Sequence, residues 1–499
     1  MLRRALLILA LATATVAAHA DTPGWLPASP QKLPRWRGFN LTEKFMLHPG
    51  DSAFHEQDFQ LISQFGVNYV RLPMDYRFWI RNGDGRQFDE SALKDIDQAV
   101  AWGGKYGIHV CLNFHRAPGY TVAQPAESRV LWTDTEAQEV CAMHWARFAR
   151  HFKGIPNERL SFNLFNEPKD IDPALYAAVC KKMADANRAE DPDRLIIADG
   201  LAWGTKPVPG LRALNVAEAT RGYWPMDLTH YAAAWIGGNV PAHPPAWPRP
   251  VTCGLLPGPS KLNAGFGGPI VIDGTFPAGA SLRLRVAIVS NRARLTVEAD
   301  GQPVWEHLFV TGSGQGEWKR TVYNTRWKIY QNEYDRDYAL RVPTAASELR
   351  IAVPEGDWLR LDEIGITPPG GPEDTLTLNP DMRDAMPPLR YQPGALTTTA
   401  MQDRATLWRE RVKPWRALES TGVGVMVGEW GVYNRTPHDV TLRFMEDNLA
   451  NWKQAGWGWA LWNFRGNFGV MDSGRADVAY EDFEGHKLDR AMLELLQKY

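Results

Sequence analysis

The 499-residue chain sets 55 basic against 57 acidic residues, for a formal net charge of -2, and 44% of it is hydrophobic. That balance gives no general attraction to nucleic acid or to an anionic membrane, and the length allows a large core and more than one domain. Four cysteines without a CxxC pair give no support to a zinc finger or to thioredoxin-like redox chemistry.

The chain opens with Arg3 and Arg4, an apolar run over 5–18 and the small-residue site Ala18-His19-Ala20. This order predicts a signal peptide over 1–20 and a mature protein from Asp21, periplasmic or secreted and free of the membrane after cleavage. An uncleaved anchor is the alternative, against which the shortness of the run speaks. Outside the cytoplasm, Cys141 and Cys180 could bridge if their helices are neighbours, or all four cysteines could be buried thiols.

After a Pro-rich lead, strand and helix patterns alternate as βα units. Strands are expected over 36–41, 67–74, 109–116, 160–168, 194–200 and 226–232, with amphipathic helices over 54–65, 91–106, 136–152 and 173–188. Leu93, Ile96, Ala99 and Val100 recur at helical spacing. No Gly-rich turn follows the first strand, which argues for a closed barrel over a dinucleotide fold. From 237 to 267 the chain is crowded with Pro and Gly, and from about 269 to 366 strict alternation replaces helical period, as in Leu282-Arg283-Leu284-Arg285-Val286. Short alternating strands at such spacing describe a β-sandwich. Helices over 401–417, 438–452 and 487–498 and strands over 424–431 and 458–464 then complete the first pattern. The expected architecture is a (β/α)8 barrel with an all-β, jelly-roll-like sandwich inserted after strand six: signal peptide 1–20, barrel 21–240, linker and sandwich 241–375, barrel 376–499.

Chemistry concentrates at predicted strand ends. The fourth strand closes in Phe162-Asn163-Leu164-Phe165-Asn166-Glu167-Pro168, where the missing N–H of Pro168 must stop it. Strand alternation would put Phe162, Leu164 and Asn166 on one face and Asn163, Phe165 and Glu167 on the other. The seventh strand ends in Val427-Gly428-Glu429-Trp430. In a parallel barrel these ends share one rim, where catalytic groups collect. Two glutamates there suit a retaining glycosidase, whose carboxyl groups stand about 5–5.5 Å apart. Further rim residues are Arg71, His115, His230 with Tyr231, and Trp462. His55-Glu56 lacks the second His of a zinc-protease motif, because Phe59 holds that place. Gly312-Ser313-Gly314-Gln315-Gly316 lacks the Lys of a phosphate loop and reads as a turn, as does Asp84 between Asn82 and Gly85.

Taken in barrel order, these strand ends resemble family 5 of the glycoside hydrolases, the cellulase-type barrels with an Asn-Glu-Pro motif. The resemblance covers residues from about 35 to 231 and from 424 onward. It implies that Glu167 is the acid/base, Glu429 the nucleophile, and Asn166 a partner of the sugar 2-hydroxyl. It implies that Arg71 stands as a cation beside Glu429, that His115 and His230 hold the sugar, and that Trp462 floors the sugar being cleaved. In the family a Tyr often follows the strand-six His by two residues; here that position is Ala232, and Tyr231 is adjacent to His230. The implied activity is retaining hydrolysis of a β-linked polysaccharide, with endo-β-1,4-glucanase as default and β-mannanase, other endo or exo β-glycosidases, or a silent carbohydrate-binding barrel as alternatives. No cofactor and no metal are required. The insert's Trp358-Leu359-Arg360-Leu361-Asp362 resembles a strand of jelly-roll carbohydrate-binding modules. Trp305, Trp318, Trp327 and Trp358 are open between sugar stacking and core packing, and an insert near the rim would shape the glycan cleft.

Overall fold

The computed structural model describes residues 24–48, 52–236, 244–259, 268–325, 327–379 and 387–499. The signal peptide expected over 1–20, the mature start at Asp21 and much of the Pro- and Gly-rich stretch 237–267 lie outside them. Contacts divide the chain into two compact units, Ala246–Trp408 and the segments on either side of it.

Eight parallel strands close the barrel: Arg37–Asn40, Tyr69–Asp75, His109–Ala117, Leu160–Asn163, Ile196–Asp199, Ala217–Gly222, Val425–Trp430 and Trp459–Trp462. The first pairs with the eighth from Arg37 opposite Trp459 to Asn40 opposite Trp462, so no strand edge is left open. Helices Glu56–Gln64, Leu93–Tyr106, Thr135–His151 and Pro173–Glu190 follow the first four strands. Local chemistry sets their ends. Asp134 caps Ala137 N–H, Asp172 caps Ala174 and Leu175 with Pro173 in the first turn, and Gly107 closes Leu93–Tyr106 at φ 71°.

One expected strand is elsewhere. The sixth strand is Ala217–Gly222, and Met226–Thr229, expected in the strand, is a single helical turn. Ala217-Glu218-Ala219-Thr220 carries no apolar run, so nothing in its hydropathy marks it. The small inward side chains of Ala217 and Ala219 are what a barrel interior asks for.

Period-two alternation stacks the interior in layers. Tyr69, Cys111, Ile197, Ala217, Ala219, Met426 and Ala460 pack with Leu33, Trp36 and Leu195 in an apolar floor. Two residues further along their strands stand Arg71, Asn113, Asp199, Arg221 and Gly428, with Asn40 from the first strand and Asn163 from the fourth. The apolar floor therefore carries a polar layer directly beneath the C-terminal rim.

The other unit is all-β. Two long strands, Ser281–Ala299 and Ala346–Thr367, pair along most of their length and bend at register shifts. Ile329–Arg341 pairs the first half of the former and Gln302–Val310 its second half, folding the sheet on itself around Leu282, Leu284, Leu295, Ile351, Leu361 and Ile364. Leu389–Gln392 joins the same sheet beside Ile270–Phe276, and Arg249–Pro250 pairs with Met401–Gln402, so the unit's two ends leave side by side. Trp305 and Trp318 are half-buried against this core, while Trp327 is 52% exposed. Cys111, Cys141 and Cys180 are buried free thiols, and Cys253 is buried. Among the described residues no helix is long and apolar enough to cross a membrane.

Candidate active site

The fourth strand stops at Asn163, not at Pro168, so the expected two-face alternation ends there. Asn163 and Asn166 both turn into the barrel, where Arg71 donates from Nε to Asn163 Oδ1 (3.0 Å) and from Nη2 to Asn166 Oδ1 (2.8 Å). Glu167 takes a left-handed backbone, φ 51°. For a residue with a Cβ this costs about 1–2 kcal/mol. Hydrogen bonds on both sides offset it: Glu167 N–H donates to Asp199 Oδ2 at 3.0 Å, and its carbonyl accepts from the Tyr120 hydroxyl at 2.7 Å. The strained residue is thus fixed from two neighbouring elements.

Glu429 reaches the interior by a different device. Met426 faces inward, so simple alternation would turn Glu429 outward. A register shift between Val427 and Glu429 inserts a bulge that re-aims it. The bulge needs Gly428, whose added Cβ would stand 3.1 Å from Arg221 Nη1 and 3.2 Å from Ala219 Cβ.

Two guanidiniums organise the two glutamates. Arg71 Nη1 donates to Glu429 Oε2 at 3.0 Å and to Asn40 Oδ1 at 3.0 Å. Arg221 donates from Nε to Glu167 Oε1 at 2.9 Å and from Nη2 to Asn166 Oδ1 at 3.1 Å and to Asp199, and Nη2 lies 3.8 Å from Glu429 Oε2. One guanidinium therefore touches or neighbours both carboxyl groups. Burial, and then the Glu429 carboxylate, raise the Glu167 carboxyl to about 8 against the pull of Arg221. Burial opposes the charge on Arg221, and Asp199, Glu429 and Glu167 together outweigh it. With Asn166 Oδ1 occupied by both arginines, its buried Nδ2 has no partner in the protein and is left as a donor.

His115 and Trp462 lie together, rings stacked at 5.5 Å and 19°, with Phe45 edge-on to both. Burial, then Arg71 and Arg221, hold the His115 imidazole well below its usual range, so it is neutral. His230 and Tyr231 follow the helical turn and do not end a strand. His230 bonds Thr229 and packs edge-on against the Tyr223 ring at 5.0 Å. The phenol donating to Glu429 Oε1, at 3.0 Å, is that of Tyr223. The strand-six end is thus Arg221-Gly222-Tyr223, with Tyr two residues on and Arg where the family resemblance places His. Arg221 and Tyr223 escaped the sequence reading because the sixth strand was set nine residues late, and Arg-x-Tyr spacing after a small-residue stretch is the signal that carries them; Asp199 ends the fifth strand, where nothing local marks it. On the same rim, Ala202 and Trp203 both have positive φ (51° and 58°). Trp203 donates its N–H to Pro168 O at 2.9 Å and leaves its indole 49% exposed.

Residues 28–226 match the family model described as cellulase, glycosyl hydrolase family 5. Endoglucanase C of Acetivibrio thermocellus is 25% identical over 189 residues, 37% of this chain and 54% of that protein. A probable glucan 1,3-beta-glucosidase A of Emericella nidulans is 40% identical over 255 residues, 46% of this chain and 60% of that protein. The chain thus spans little more than half the length of these curated relatives. A crystal structure of a glycoside hydrolase superposes with a TM-score of 0.60 at 26% identity, covering 93% of this chain and 99% of that one.

Proposed function

We propose that this chain is a member of glycosyl hydrolase family 5 and a retaining glycosidase that cleaves a β-linked glucan by double displacement. The observation that carries this reading is the pair Glu167 and Glu429, each bonded by its own arginine and both within reach of Arg221. Retention needs a close pair of carboxyl groups, one protonated and one ionised. Glu167, raised by burial and by its neighbour, holds the proton and gives it to the glycosidic oxygen as the C–O bond breaks. Glu429, fixed by Arg71 and Tyr223, attacks the anomeric carbon. Glu167, now ionised, takes a proton from the water that releases the sugar. Asn166 Nδ2 is free for the sugar 2-hydroxyl, and the His115–Trp462 pair offers a flat wall for the ring.

The relatives' names support a glucan, and endo-β-1,4 cleavage, the default of the family resemblance, is the first reading. A β-1,3 linkage is the second, favoured by the 40% identity to the glucan 1,3-beta-glucosidase. The N-terminal signal pattern supports action outside the cytoplasm. Reducing-sugar release from β-1,4-glucan, β-1,3-glucan and mannan, with proton NMR of the first anomer formed, tests the proposal. The expected product is the β-anomer, and Glu167→Gln and Glu429→Gln lose the polymer activity. An α-anomer as first product, or full activity in Glu429→Gln, overturns it.

A further inference from the structure

Asp199 ends the fifth strand fully buried, and the two-glutamate reading leaves it without a task. Every acceptor it has is used. Oδ1 accepts from Asn163 Nδ2 at 3.0 Å, Oδ2 accepts the N–H of Glu167 at 3.0 Å and the Nη2 of Arg221, and its backbone carbonyl accepts from the Tyr176 hydroxyl at 2.7 Å. Arg221 in turn reaches Glu167 through Nε at 2.9 Å. Asp199 therefore grips both the backbone of Glu167 and the cation that touches its carboxyl.

The charges explain why this matters. A guanidinium bonded to a carboxyl group favours the ionised form, which is the wrong form for a proton donor. The buried set holds Arg71 and Arg221 as cations and Asp199 and Glu429 as anions. It is neutral when Glu167 carries a proton and negative when it does not. Among the described residues, the other titratable groups that interact with Glu167 are the phenols of Tyr223 and Tyr120, and the imidazole of His115 stands by Arg71 and Arg221; all are uncharged in this setting. Among the described residues, no other anion offsets Arg221 by direct contact apart from the two catalytic candidates.

We propose that Asp199 is a positioning residue for the acid step: it takes up the charge of Arg221, so that Arg221 orients the Glu167 carboxyl without removing its proton. This inference rests on the reading of Glu167 as acid/base. An ordinary structural carboxylate would affect stability alone; this one governs where the proton sits.

The test is the pH profile of kcat/KM on 4-nitrophenyl and 2,4-dinitrophenyl β-cellobiosides. Asp199→Asn keeps the shape and, with its oxygen toward Glu167 N–H and Arg221, the acceptor they use; it removes the charge and gives up only the bond from Asn163 Nδ2. Its alkaline limb moves down by about one to two pH units on the 4-nitrophenyl substrate. The 2,4-dinitrophenyl substrate, whose leaving group needs no proton, keeps its rate. Arg221→Gln moves the limb up, and Asp199→Asn with Arg221→Gln brings it back toward wild type. An unmoved limb in a folded Asp199→Asn, or shifts of the same sign in the two single variants, overturns the inference. If Asp199→Asn does not fold, the other two variants decide: a double variant whose limb stays with that of Arg221→Gln overturns it, and a return supports it. Glu167→Ala with azide separates this from the underlying reading. If that variant releases no dinitrophenol and forms no β-glycosyl azide, the acid/base assignment falls. If it does both while Asp199→Asn leaves the limb in place, only the role of Asp199 falls.

Discussion

Tyr223→Phe isolates one hydrogen bond on the proposed nucleophile. The hydroxyl donates to Glu429 Oε1 at 3.0 Å, and the ring packs edge-on against His230 at 5.0 Å and Phe468 at 6.2 Å. Phenylalanine keeps those ring contacts, so the fold loses only the hydroxyl, and the variant's Tm stays close to that of wild type. The glutamate side chain is 6% exposed, so water has little room to replace the lost donor. A hydrogen bond to a buried charge contributes about 1.5–3 kcal/mol. If it acts on the transition state, kcat/KM falls by about 10- to 150-fold. Tyr231→Phe is the paired control: this tyrosine lies beyond the helical turn, and its change should stay within about twofold. Initial rates on 4-nitrophenyl β-cellobioside, with Tm for each variant, give the answer. Equal effects in the two variants, or a larger one in Tyr231→Phe, would refute the assignment of the phenol to Tyr223.

Asn166→Ala removes the unpartnered Nδ2 donor, and kcat/KM on a β-glucoside falls by about 10- to 150-fold, whereas a 2-deoxy-β-glucoside shows no further loss. Equal losses on both sugars would mean the amide acts only through Arg71 and Arg221. Trp203→Ala raises KM for polysaccharide and leaves aryl monoglucoside kinetics unchanged, because a half-exposed indole held in a positive-φ turn beside Pro168 suits stacking on a distal sugar. Unchanged KM on polymer would remove that role. Glu218 is a pH prediction. Burial raises its carboxyl from 4.5 to about 8 against the bond from Val208 N–H, so the folded chain keeps a proton that the unfolded chain has released. The stability it supplies is complete below the ordinary glutamate range and is lost as pH rises toward about 8, at about 1.4 kcal/mol per pH unit. Urea midpoints across that window should decline with pH in wild type and less steeply in Glu218→Gln; parallel slopes would contradict it.

The barrel is legible in the sequence where hydropathy and turn chemistry agree. Apart from the first strand, Arg37–Asn40, and the sixth, the barrel strands carry apolar residues in runs, and helix 173–190 announces itself with Asp172 and Pro173. The strand-end residues Glu167, Glu429, Arg71, His115 and Trp462 could be read from position alone. The sixth strand could not. Its inward residues are Ala217, Ala219 and Arg221, two small and one charged, and no periodicity marks a strand whose function is to leave room and then place a cation. Met226-Asp227-Leu228-Thr229 alternates better and misleads for that reason. Asp199 lay inside an expected strand, yet nothing local distinguishes a buried catalytic neighbour from a strand-end turn residue. Its significance exists only across strands, in a contact with Arg221 that sequence spacing does not encode.

The polar layer itself argues for function over stability. Burying Arg71, Arg221, Asp199 and Glu429 above an apolar floor costs desolvation that well-packed aliphatic side chains would not incur, and replacing buried ion pairs by such side chains is often neutral or stabilising. A barrel selected for stability alone would continue the floor of Tyr69, Ile197 and Met426 upward. Instead, four of its strands present charge at the same height, and asparagines 40, 113, 163 and 166 fill the gaps as donors and acceptors. Asn40, Asn163 and Asn166 have a direction fixed by an arginine or an aspartate, and Asn113 donates to Asn163, so the layer has little freedom to relax when charge moves. On the proposed reading, a site that passes one proton between Glu167 and a leaving group, beside an anion that must not take it, needs that rigidity. The charges are placed where the apolar floor ends because only there can they be both held by the strands and open to a sugar.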